Sequence, residues 1–174
     1  MQYYINFCAQ YCKITEIMKI ILIQIEKTTE KYLLDGEKVY DDRLKNYIQF
    51  TTETIQMPKA IRQKSHEEQK KAEALEINKL LDSSDYLVCL DEHGKHFTSI
   101  EFSEFLNKRM SAGIKRLVFL IGGPFGIDKS ILDKSQLVLS LSNMTFSHQM
   151  IRLFFKEQVY RGFTILKNEK YHHE

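Results

Sequence analysis

The chain has 174 residues, 43% hydrophobic and 28% charged, which suits one compact domain with a real core and excludes wholesale disorder. With 25 basic and 23 acidic residues the formal net charge is only +2, so a polyanionic partner must be held by a local patch or by patches combined across subunits. Its three cysteines, Cys8, Cys12 and Cys89, offer no disulfide framework and no four-ligand zinc set, no apolar run is long enough for a membrane span, and a cytoplasmic location is expected.

The opening MQYYINFCAQYCKITEI lacks the basic start and apolar core of a secretory signal. A buried-strand pattern begins only at Met18. Residues 1–17 are therefore expected to be an upstream extension, and residues 18–174 a single domain. The alternative is a short extra helix carrying Cys8 and Cys12 on one face.

KIILIQI is a continuous apolar run, read as a buried strand. TTEKYLLDGEKVYDDRLKNYI places Leu33, Leu34, Val39, Leu44, Tyr47 and Ile48 at helical spacing, with Thr28 or Thr29 as cap. FTTETIQMP alternates and is rich in threonine, a second strand stopped by Pro58. Ser65, with Glu68 three residues on, is a capping-box signature. It opens a helix expected to turn Ala72, Leu75, Ile77, Leu80 and Leu81 to the core. YLVCLD is a third strand, ended by the turn EHGK, and SIEFSEFLNKRMSAG is an amphipathic helix closed by Gly113. KRLVFLI is a fourth strand. A short helix at DKSILDKS, a fifth strand at QLVLSLS and a long helix over SHQMIRLFFKEQVYRGFTILKN follow, before the tail EKYHHE. This alternation predicts an α/β sandwich on a mostly parallel sheet, whose ligands sit beyond the carboxyl ends of the strands. LDEHGK, LIGGPFG and SNMTFS all fall at such ends.

LIGGPFGIDKS asks what its glycines are for. A phosphate-binding P-loop requires glycine where Ile127 stands, and Lys129-Ser130 arrive too late. A dinucleotide fingerprint requires glycine at Ile121. On physics alone a ligand loop and a plain strand-to-helix turn set by Pro124 are equally good readings. Elsewhere, His148 is either a base or a capping histidine. The stripe Phe154, Phe155, Tyr160 and Phe163 reads as core or subunit interface. His172-His173 lacks a third ligand, so no metal is expected, and no Ser-His-Asp or Cys-His arrangement stands out.

In order along the chain, IGGPFG, LSLSNMTFSHQMIR, EQVYR and the terminal YHH together resemble the ribosomal RNA large-subunit methyltransferase H family of SPOUT-class enzymes, with weaker motifs back to MKIILI. The resemblance implies a SPOUT-type α/β/α sandwich with a mostly parallel five- to six-stranded sheet and a C-terminal deep trefoil knot, a rare exception to unknotted chains. It implies methyl transfer from S-adenosylmethionine to N3 of a pseudouridine in 23S rRNA, in the helix 69 stem-loop of the assembled ribosome. It also implies a homodimer, with no membrane or DNA partner. Carried over residue by residue, the cofactor positions are Leu90, Gly122, Leu141, Ser142, Asn143, Met144, Thr145 and Phe146. His148, Tyr171 and His172 become the candidates near the reacting base, and Arg152, Arg161, Lys115, Arg116 and Lys170 the candidate RNA contacts. Asn143 and Ser147 depart from the lysine and proline of many relatives. Cofactor contacts through backbone groups are expected to survive both changes, and a serine is a competent helix cap.

Overall fold

The computed structural model describes residues 18–171. The expected extension over residues 1–17 and the tail residue His172 lie outside the described residues. Five strands form one sheet: β1 (Lys19–Ile25), β2 (Gln49–Ile55), β3 (Tyr86–His96), β4 (Arg116–Ile121) and β5 (Leu137–Ser140). Their order is β2-β1-β4-β3-β5, with every pairing parallel. The helices are α1 (Lys31–Leu44), α2 (Lys59–Arg62), α3 (His66–Leu80), α4 (Ser99–Ser111), α5 (Lys129–Leu132) and α6 (Met150–Leu166).

A parallel sheet buried on both faces needs apolar residues at successive positions, which is why β1 and β4 read as unbroken apolar runs. Ile20 and Leu22 join one core with Leu44 of α1, Leu106 of α4 and Phe155 of α6. Ile21, Ile23 and Ile25 join the other with Ala74 and Ile77 of α3 and Ile131 of α5. The result is a three-layer α/β/α sandwich. Phe119 at its centre is fully buried, its ring 4.6 Å from that of Phe155; burial of one such side chain contributes about 1.5–3 kcal/mol.

Local signals decided most element boundaries. The capping box at Ser65 is formed, and a second, between Thr98 and Glu101, opens α4. Gly113 follows α4 with φ 71°, the left-handed region where a side chain is strained.

Three expectations are corrected. α1 starts after Glu30 rather than on Thr28 or Thr29, because buried Thr28 instead donates its hydroxyl to Glu37 at 2.7 Å. Helix faces are also displaced: Leu34, Val39, Leu75 and Leu80 are exposed, whereas Glu37 and Glu73 are buried. Polar partners within the fold hold those two carboxylates inside, so apolar spacing alone misplaced the stripes. Finally, EHGK does not leave the sheet. β3 continues through a register shift between Leu90 and Lys95, and Lys95 and His96 pair again with β5. Gly94 makes this possible, since a Cβ there would lie 2.6 Å from the backbone of Leu139.

Candidate functional site

The carboxyl ends of β3, β4 and β5 converge on a cavity of about 320 Å³, a volume within the usual span of small-molecule sites (about 300–1,000 Å³). Leu90, Asp91 and Glu92 of β3 form one wall, the glycine loop after β4 a second, and the segment from Leu139 to His148 a third. Ile151, on the first turn of α6, closes it.

The glycine loop is a tight turn in which the Gly126 N–H donates to the Gly123 carbonyl at 3.1 Å, with Pro124 second and Gly126 at φ 81°. Its glycines are needed because protein already fills the side-chain direction. A Cβ on Gly122 would meet Ile127 at 2.7 Å, and one on Gly123 would meet a carboxylate oxygen of Glu73 at 2.5 Å. The loop backbone is thereby pressed against its support.

Opposite, the loop after β5 is braced by its own hydroxyls. Ser140 donates to the Ser142 carbonyl at 2.9 Å, and the Met144 N–H donates to the Ser142 hydroxyl at 2.9 Å. Thr145 donates to Glu92 at 3.0 Å, tying this loop to the bulged strand β3. Phe146 stacks on Phe154 with ring centroids 5.1 Å apart.

Of the expected residues, the fold brings Leu90, Gly122, Leu141, Ser142, Met144, Thr145, Phe146 and His148 to one cavity. Asn143 is exposed on the same loop and is not part of the lining. His148 is half-buried, and burial, followed by the nearby charge of Arg152, holds its imidazole below the ordinary value. It is therefore neutral at pH 7 and able to accept a proton. Its neighbour Gln149 accepts from the N–H of Thr29 at 2.8 Å, fastening the start of α1 to the start of α6.

Other expected residues lie elsewhere. Arg152, expected to meet RNA phosphate, is fully buried and donates to the Ile25 carbonyl at 2.6 Å and the Thr28 hydroxyl at 3.0 Å. It caps the carboxyl end of β1, where an unpaired carbonyl needs a donor. Lys115 and Arg116 sit at the amino end of β4, roughly 20 Å of strand from the cavity, and Arg116 is held by Asp85 at 2.5 Å. Arg161 pairs with Glu157 at 2.6 Å, and Lys170 is exposed. Tyr171 follows the 17-residue α6, whose first turn touches the cavity, so about 25 Å of helix intervenes. Burial, with Tyr40 and Glu157 beside it, pushes its phenol well above the ordinary range, so it stays protonated at neutral pH.

Asp91, Glu92, Ser140 and Ile151 also line the cavity, and sequence reasoning missed them. Asp91 and Glu92 stand in a stretch already marked as a strand end, which was their one available signal. No Lys or Arg is among the described residues of the lining, and no metal-sized cluster of His, Cys, Asp or Glu occurs among the described residues. No helix among them is long and apolar enough to cross a membrane.

Residues 18–172 match the family described as "Predicted SPOUT methyltransferase". A protein of Flavobacterium johnsoniae named ribosomal RNA large subunit methyltransferase H is 51% identical over 157 residues, spanning 90% of this chain and 100% of that one. One of the same name from Christiangramia forsetii is 49% identical over 156 residues, 90% of this chain and 99% of that one. Among solved structures, the SpoU methyltransferase AviRb of Streptomyces viridochromogenes in complex with AdoMet aligns with TM-score 0.42 and 11% identity, over 83% of this chain and 57% of that one, a likeness too slight to argue from.

Proposed function

The chain belongs to the SPOUT methyltransferase family, and from that membership we propose that it uses S-adenosylmethionine to methylate N3 of a pseudouridine in 23S rRNA. The proposed target is the helix 69 stem-loop of the assembled ribosome. The observation that carries the reading is the chemistry of the cavity wall. It combines glycine-loop backbone, apolar side chains, hydroxyls, two carboxylates and the neutral imidazole of His148, with no Lys or Arg among the described lining. Such a wall suits an adenine ring and a sulfonium cation, and it suits a nucleoside triphosphate poorly, because nothing there neutralises phosphate.

When bound, S-adenosylmethionine supplies an electrophilic methyl group on a positively charged sulfur. The chain's own part is to bind, orient and move one proton. Gly122 and the run from Leu141 to Phe146 hold the cofactor, chiefly through backbone groups. Leu90, Leu141 and Ile151 exclude water from it. Neutral His148 would take the N3 proton, leaving an imidazolium that solvent later discharges. Tyr171, with its phenol held protonated, serves as a hydrogen-bond donor rather than a base.

A homodimer belongs to the same proposal. Lys170 and Tyr171, beyond the far end of α6, are too far from their own cavity to serve it, and in a pair they would serve the partner's. Exposed Leu34, Val39 and Phe154 supply apolar surface for a second copy to cover. The trefoil knot formed by the loops around the cavity, and a cytoplasmic location, complete the reading.

The test is tritium transfer from labelled S-adenosylmethionine to ribosomes from a strain lacking the gene, with the modified base mapped. Incorporation at N3 of a pseudouridine in 23S rRNA is expected. No incorporation into 23S rRNA would overturn the proposal. If calorimetry also found no cofactor binding while ribosome binding persisted, a non-catalytic RNA-binding module would replace it.

A further inference from the structure

Beneath the glycine loop lies a carboxylate that no step above uses. Glu73, in the third turn of α3, is 6% exposed, and it accepts the N–H of Gly123. Its oxygen occupies the space that a Cβ on Gly123 would need. Two helical turns earlier on α3, the His66 ring stacks on Phe125 with centroids 3.7 Å apart and planes 19° from parallel. One helix thus holds the loop at two points, 123 and 125, on either side of Pro124.

We propose that Glu73 is a positioning residue, which fixes the backbone of the glycine loop through Gly123 and so sets the affinity of the cavity for S-adenosylmethionine. The inference rests on the cofactor reading above. Its physical basis is that a loop held in one geometry does not have to be ordered when the ligand arrives. A charge-assisted hydrogen bond from a backbone N–H holds better than a neutral one.

The charge state of this acid sits near neutrality. Burial raises the Glu73 carboxyl to about 7, against the lowering effect of the Gly123 N–H, with Glu26 adding to the rise. Glu26, on the turn after β1, is the charged group that faces it from outside α3. Glu26 is itself held by Arg62 at 3.1 Å and by the Met57 N–H at 3.1 Å. From the side of β4, the loop presents the Gly123 N–H to it. As pH rises through 7, Glu73 ionises, its grip on Gly123 tightens, and cofactor affinity rises.

The experiment compares the wild-type chain with Glu73→Gln and Glu73→Ala between pH 6 and 8, by calorimetry with S-adenosylmethionine and by hydrogen exchange over residues 122–127 without ligand. Glu73→Ala is expected to lose at least tenfold in affinity and to exchange faster over 122–127. Glu73→Gln, which keeps a neutral acceptor, should recover most of that loss and show no rise in affinity across pH 7. Wild-type affinity and exchange in Glu73→Ala, or an unchanged pH dependence in Glu73→Gln, would overturn the proposal. Failure of the wild-type chain to bind the cofactor at any pH would strike the cofactor reading instead, and exchange over 122–127 would then decide the role of Glu73 alone.

Discussion

Lys156 tests the energetics of the fold most directly. Its ammonium is 2% exposed on α6 and lies 2.9 Å from Glu37 and 2.9 Å from Asp41, both on α1. Glu37 is almost as deeply buried, whereas the Asp41 side chain is 39% exposed and can turn to water. Replacing Lys156 by methionine preserves the volume but removes the direct cationic partner of Glu37, which keeps the hydroxyl of Thr28 and, through it, the neighbouring charge of Arg152. Breaking a buried pair on one side costs about 3–5 kcal/mol, far more than an exposed pair, because the remaining charge loses its direct partner, and the charge of Arg152 near Glu37 sets the cost at the low end of that range. For a domain of this length, that corresponds to a fall in Tm of the order of 10 °C. Lys156→Met should show this loss in urea titration with an unchanged m value. The double variant Lys156→Met/Glu37→Gln, neutral at both positions, should recover at least half of it. A cost for Lys156→Met below about 1 kcal/mol, or a double variant no more stable than additivity requires, would refute the reasoning.

Gly94→Ala should cost more than the usual 1–3 kcal/mol of overpacking, because the added Cβ meets backbone of Leu139 and Val138 at 2.6–2.7 Å and neither strand can yield alone; thermal melts and cofactor titration should report joint losses. Methyl transfer should show an acid limb in kcat/KM below pH 6.5, where the depressed imidazole of His148 titrates; His148→Asn should abolish that limb and cost about 10²–10⁴-fold in rate. The ordinary carboxyl value of 4.5 is raised to about 7 at Glu73, so the folded chain binds more protons than the unfolded one between those values. Wild-type stability therefore declines relative to Glu73→Gln as pH climbs through this window, by up to about 3 kcal/mol, which denaturation at pH 4.5 and pH 8 would measure. Cys89 is fully buried with its thiol pushed up to about 11, so iodoacetamide should spare it in the native protein and label it in urea, as peptide mapping would show.

Much of the architecture was legible because it is written in local patterns. The unbroken apolar runs of β1 and β4, the capping box at Ser65 and the Gly113 terminus each report on their own neighbourhood. The ordered motifs from IGGPFG to EQVYR also located most of the cavity wall. Glu73 left no such trace. On a helix of alternating charges it is indistinguishable from Glu67 or Glu76, and only the docking of the glycine loop sets it apart. Arg152 was misread for the same reason: an arginine near an RNA-enzyme motif suggests phosphate, whereas its partner, the Ile25 carbonyl, is 127 residues away.

By itself, then, the sequence determined the element order, the parallel class of sheet and the family, since these follow from hydrophobic period, caps and short motifs. Tertiary structure alone decided that β3 runs on past EHGK, that Glu37 and Lys156 share a buried pair, and that α3 supports the glycine loop from below. These depend on contacts between distant segments, where one desolvated charge or one missing Cβ outweighs any local preference.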